Sequence, residues 1–196
     1  MTLALLLWAA AVPGVGVSRL PVSREVAVER LKACGFAQVA VRDDRELQED
    51  VLTVSHVTQA SQRQLTCAAK VSLWSVTYVQ FPEPLNQKYQ RLYWRMAEEK
   101  DRRDARAWLQ RRGLLAKLPT YAKGRTDDLT FGRKVEALCG PKAKGAFARD
   151  HGMMTIRMGT IEHPSLDDET FKCLINVSSA AGFKWGFVGN EYYEKK

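Results

Sequence analysis

Cys67-Ala68-Ala69-Lys70-Val71-Ser72 and Cys173-Leu174-Ile175-Asn176-Val177-Ser178 open on the same residue and close on the same Val-Ser pair. Each follows an earlier cysteine at nearly the same distance: the interval from Cys34 to Cys67 is only one position shorter than that from Cys139 to Cys173. A glycine follows both earlier cysteines, Gly35 and Gly140, and a phenylalanine stands equally far beyond each later one, Phe81 and Phe187. The pattern reads as one cysteine-bracketed unit used twice, over 25–82 and 133–190, with 83–124 as a connector.

Inside the first unit Val26, Val28, Leu31 and Ala33 suit a short helix that Gly35 ends. Val39-Ala40-Val41 and the β-branched run from Asp50 to Val57 are strand candidates. Ser61-Gln62-Arg63-Gln64 has the form of a capping box ahead of Leu65, Ala68, Ala69, Val71 and Ser72, so Cys67 is expected on a helix. Val76 to Phe81 then reads as a closing strand, stopped by Pro82 and Pro84. In the second unit Val135, Leu138 and Cys139 predict a helix end, and Met153 to Met158 a strand. Ser165 to Asp168 predicts a cap for a helix bearing Phe171, Leu174, Ile175 and Val177, and Phe183 to Val188 a closing strand. Residues Ala143 to Phe147 look helical. The expected class is α+β: a doubled helix–strand–helix–strand unit, its copies joined by a long basic helix and their closing strands sharing one antiparallel sheet.

That helix is predicted from Leu85 to Gly113, which contains no proline and no glycine before its end. Leu85, Tyr89, Leu92, Tyr93 and Met96 recur at helical spacing. From Glu98 to Arg106 nearly every residue is charged, and opposite charges three or four apart suit a solvated, ion-paired helix.

The chain's 196 residues carry a net charge of +8 with 45% hydrophobic content, a folded rather than disordered composition. The opening run, Met1 to Val17, is apolar and falls short of the ~20 residues of a membrane span. With Pro13, Gly14 and small residues near Gly16 and Ser18 it reads as a signal peptide over 1–18, although no Lys or Arg precedes Leu3. An uncleaved anchor and a core helix of a cytosolic protein are the other readings. Four cysteines in matched pairs suit two disulfides, Cys34–Cys67 and Cys139–Cys173, in an oxidising compartment. Free thiols are the alternative, and no CxxC or HxxxH pair suggests zinc. In general form, a small basic chain with a signal and paired cysteines resembles uncharacterised proteins of the bacterial envelope. The expected location is therefore the periplasm or the extracellular space, with no integral span after cleavage.

The basic balance points to an anionic partner. Arg95, Arg102, Arg103 and Arg106 are the candidate anion-binding residues, with Tyr89, Tyr93 and Trp94 interleaved. Glu98, Glu99, Asp101 and Asp104 interrupt the basic run, and no nucleic-acid motif occurs, which disfavours nucleic acid. His56 and His163 precede the two later cysteines by nearly equal intervals, so a metal site with His151 is one reading, and surface or capping-region residues near a helix start are the plainer one. The motifs GxSxG, SxxK and HExxH are missing, and the paired carboxylates Asp43-Asp44, Asp127-Asp128 and Asp167-Asp168 look like turn and helix-start residues. Asn176-Val177-Ser178 matches a glycosylation sequon inside a predicted helix. Phe183, Trp185, Phe187, Tyr192 and Tyr193 read as core packing or an exposed ledge. No cofactor, metal or catalytic residue is assigned. The leading reading is an exported, non-catalytic protein binding an envelope component, whether anionic polymer, lipid headgroups or another protein. A small exported hydrolase with a site between the repeats and a basic nucleic-acid-binding protein are the alternatives.

Overall fold

Ser23 caps α1 (Arg24–Ala33), a helix that buries only Ala27 and Leu31 and ends at Cys34-Gly35, where Gly35 takes φ 96°. The computed structural model in which this is seen describes residues 23–44, 49–156 and 166–187. The proposed signal segment, His163, Ser165, Tyr192 and Tyr193 lie outside them. Mixed helix and strand content makes the protein α+β, and its chain divides into two units, Met1–Tyr93 and Trp94–Lys196.

In the first unit α1 is followed by β1 (Val39–Asp44) and β2 (Glu49–Val54), antiparallel with Val39 opposite Val54. Val51, Leu52 and Val54 are all buried, as expected of a central strand covered on both faces. The helix α2 (Gln62–Ser75) crosses over to β3 (Tyr78–Gln80), which runs parallel to β2 with Thr53 opposite Gln80. Parallel neighbours require such a crossover, which explains the helix between the two strands. The capping box at its start is complete: Ser61 Oγ accepts from Gln64 N at 3.2 Å while Gln64 Oε1 accepts from Ser61 N at 3.0 Å. Leu65, Ala68, Ala69 and Val71 turn inward. Val76 does not begin the strand: it closes α2 in the left-handed conformation at φ 55°. The long helix α3 (Leu85–Arg111) follows β3, matches the predicted span and leaves at Gly113 with φ 67°.

The second unit repeats the order. It runs α4 (Asp128–Cys139), a 3-10 turn Pro141–Ala143, β4 (Phe147–Asp150), β5 (Met153–Ile156), α5 (Asp168–Ala181) and β6 (Gly186–Phe187). Again the hairpin is antiparallel and the third strand parallel to the second, giving β4-β5-β6. Among the described residues two three-stranded sheets, one per unit, replace the single shared antiparallel sheet expected from the sequence. The two strand candidates of the first unit pair as its β-hairpin, and the second unit adds β4 ahead of the single strand expected there. Ala143 to Phe147 is not helical: Gly145 at φ 82° breaks the run and Phe147 enters β4.

Near-equal cysteine spacing conceals unequal parts. The stretch from Cys34 to Val54 is longer than that from Cys139 to Ile156, the counterpart of Val54 in sheet register. The shorter β4–β5 turn, His151-Gly152, is offset by a longer passage from β5 to α5.

Leu85, Tyr89 and Leu92 of α3 are buried in the first unit, where the Tyr89 ring lies 4.8 Å from that of Phe81. Ala105 and Leu109 join the core of the second, with Phe131, Val135, Phe147, Leu174 and Val177. Phe183 sits at the centre of an edge-to-face cluster, 4.9 Å from Phe131 and 5.6 Å from Phe147. The core reading thus holds for Phe183, and Trp185 packs beside it against Phe147.

Candidate functional site

Both cysteine pairs are disulfides, Cys34–Cys67 and Cys139–Cys173, with Cα atoms 5.7 Å apart in each. Each ties the end of its unit's first helix to the second, and no cysteine is left free.

The remaining candidates lie on the second half of α3, which belongs to the second unit. Arg95, Arg102 and Arg106 are separated by seven and four residues, so at ~100° per residue they fall within an arc of about 40°. Arg103 is one helical step, about 100°, from Arg102 and stands off this strip. All four are exposed, and none makes a hydrogen bond or salt bridge among the described residues. The ion-paired helix predicted from the charge pattern is therefore largely unrealised: within α3 the described pair is Lys100–Asp104 at 2.8 Å. Glu98 reaches out of the helix to Lys184 instead. Arg112, just past the helix, is held bidentately by Glu169 and lies over the Trp108 ring at 3.8 Å.

Arg102 also lines a pocket of about 130 Å³ where α3 meets the carboxyl end of α5. Glu98, Asp101, Ser179 and Lys184 complete its polar wall, Phe183 its apolar one. Gly182, which closes α5 at φ 73°, brings its backbone close to the guanidinium: a Cβ placed there would sit 3.4 Å from Arg102 Nη2. The pocket thus offers a guanidinium, an ammonium, a hydroxyl and two carboxylates within one small volume.

No protein-family model, curated protein or solved structure matches the chain. The site is read from its own geometry.

Other candidates resolve into structural roles. Asp127 caps α4 by accepting from Thr130 N at 2.8 Å, and this bond, helped by Arg149, holds its carboxyl below the usual aspartate range. Asp167 does the same for α5 and pairs with Lys142 at 2.7 Å. The Lys142 bond, then that of Thr170, keeps it well below the usual range. Asp128 accepts from Tyr121 Oη at 2.7 Å, Asp168 pairs with Lys172 at 2.8 Å, and Asp44 with Arg42 at 2.9 Å. His56 and His151 occupy left-handed turn positions, φ 54° and 45°, and among the described residues no three His, Cys, Asp or Glu side chains converge on a metal-sized space. Asn176 donates its amide to Lys172 O at 2.7 Å and Ser178 is buried, so the sequon is closed to modification in the folded helix.

Glu136 escaped the sequence reading. It is 3% exposed, pairs with Arg133 at 2.7 Å, and accepts from the backbone of Gly145 at 3.0 Å and Phe147 at 2.8 Å. A glutamate directly after the core residue Val135, on a helix whose other apolar positions include Phe131 and Leu138, was the available signal. The pocket residues Glu98, Asp101, Ser179 and Lys184 were equally missed as a group, because no local pattern joins segments so far apart in sequence.

Proposed function

We propose that this chain is an exported, non-catalytic protein that binds an anionic partner through the outer face of α3. The observation that carries the reading is the line of exposed arginines Arg95, Arg102 and Arg106, unpaired among the described residues. Guanidinium groups keep their charge at any physiological pH and recognise carboxylate, sulfate and phosphate with paired hydrogen bonds. Leaving three of them unpaired in a row has no evident packing benefit. Export is supported by the two disulfides, which form and persist in oxidising compartments. The common element order and strand pairing of the units support descent from one doubled unit.

Two measurements test the reading. A non-reducing peptide map of the protein recovered from its host reports the cysteine pairing and the mature amino terminus, and an intact Met1 in a cytosolic fraction would remove the export claim. Replacing Arg102 and Arg106 by Glu is expected to abolish salt-sensitive retention on a sulfonated matrix. Unchanged retention would remove the binding face.

A further inference from the structure

The pocket beside Arg102 does not suit a bare polyanion. Its two cations, Arg102 and Lys184, are matched by Asp101 and by Glu98, which already pairs with Lys184, so a phosphate or sulfate offering only acceptors meets a carboxylate beside each cation. These carboxylates do match a ligand that carries hydroxyl donors next to an acid. Ser179 adds a hydroxyl that both donates and accepts, and Phe183 an apolar wall for the C–H face of a ring.

The strip outside the pocket is narrow as well. Glu98 and Glu99 flank Arg95 and Arg102 on either side at one turn's spacing, and Asp101 and Asp104 lie further round the helix. A wide anionic surface, such as a bilayer or a duplex, meets these carboxylates together with the arginines. A single chain laid along the helix can follow the arginines and pass between Glu98 and Glu99. Along the axis the three arginines sit roughly 10 Å and 6 Å apart, so acids spaced along a polymer reach them in turn. Trp94, 55% exposed, is one helical step, about 100°, from Arg95 and stands beside the strip rather than on it.

We infer that the ligand of this face is a uronic-acid polysaccharide: its acids run along Arg95, Arg102 and Arg106, and one sugar seats in the pocket with hydroxyls donating to Glu98 and Asp101. This rests on the proposed anion-binding role and narrows it to a chemical class.

Asp101→Ala separates the sugar reading from plain electrostatics, because the two give opposite signs. Asp101 is exposed and makes no salt bridge among the described residues, so the variant is expected to fold; circular dichroism checks this. The probes are a polygalacturonate oligosaccharide, an oligothymidylate and phosphatidylglycerol vesicles, titrated against the full chain at fixed salt. If the sugar is held through its hydroxyls, the variant binds polygalacturonate about fivefold more weakly while the other two probes bind equally or more tightly. Arg102→Gln weakens polygalacturonate binding at least as much. Tighter binding of all three probes by Asp101→Ala overturns the inference. So does a wild-type protein that takes the oligonucleotide or the vesicles but not polygalacturonate, an outcome that leaves the broader anion-binding role standing. Binding of none of the three, with matrix retention unaffected by charge reversal, ends both.

Discussion

Val76 and Gly182 hold the same place in their units, the left-handed residue that closes the second helix, at φ 55° and 73°. Glycine reaches that conformation freely, whereas a β-branched side chain is crowded against the following carbonyl. Val76 recovers nothing by packing, since it is 84% exposed. Val76→Gly is therefore expected to raise stability by about 1 kcal/mol, read as a higher urea midpoint at unchanged slope. Glu136 illustrates the reverse case. Its carboxylate is the acceptor for two backbone amides at the entrance to β4, that of Gly145 part-buried and that of Phe147 buried. Glu136→Ala leaves those amides without a partner and Arg133 without its acid, at an expected cost of about 3 kcal/mol in the same assay.

Helix starts carry the electrostatics at the scale of elements. Asp127 and Asp167 each accept an amide of the helix they open and each has a cationic neighbour, so both titrate lower in the folded chain than in the unfolded one. A depressed carboxylate contributes stability that is present above its unfolded value of about 4 and lost as pH falls below it. The second unit is expected to lose stability progressively below about pH 4, and Asp167→Asn to flatten that dependence. Urea titrations between roughly pH 2 and 6 decide it; an unchanged slope with pH in the variant would contradict the role given to Asp167. Caps are also where the sequence is most and least readable. Ser61 and Gln64 announce α2 because both partners of the box lie within a single helical turn. The sequence pattern places the cap of α5 within Ser165 to Asp168, and Asp167 is the cap; its pairing with Lys142, a lysine from a distant turn, has no local signal. Val76 reads as strand through its β-branched side chain, but the need to end α2 outweighs that local preference. Ala143 to Phe147 reads as helix on alanine content, and the acceptors supplied by Glu136 draw its backbone into a turn and strand instead.

Long-range order was legible only where covalent chemistry marked it. The cysteine spacing revealed both staples, whereas the arginine candidates were grouped without regard to face, and Arg103 stands off the strip shared by Arg95, Arg102 and Arg106. The pocket joins Arg102 of α3 to Ser179 of α5 and Lys184 beyond it, and nothing in either segment points to the other. The two staples also set the behaviour of the molecule under reduction. Each closes a loop of 33 or 34 residues, for which chain entropy alone assigns about 3–4 kcal/mol. Each disulfide lies wholly within its own unit, so its loss should be felt there first. Replacing Cys34 and Cys67 by Ala is expected to speed amide exchange across α1, α2 and β2 while leaving α4, α5 and β5 nearly as protected as before. The Cys139 and Cys173 pair should give the mirror result, with hydrogen-exchange mass spectrometry as the measurement for both. Equal loss of protection in both units from either double variant would mean that the chain opens as one cooperative body, and the division at Tyr93 would then describe packing but not stability.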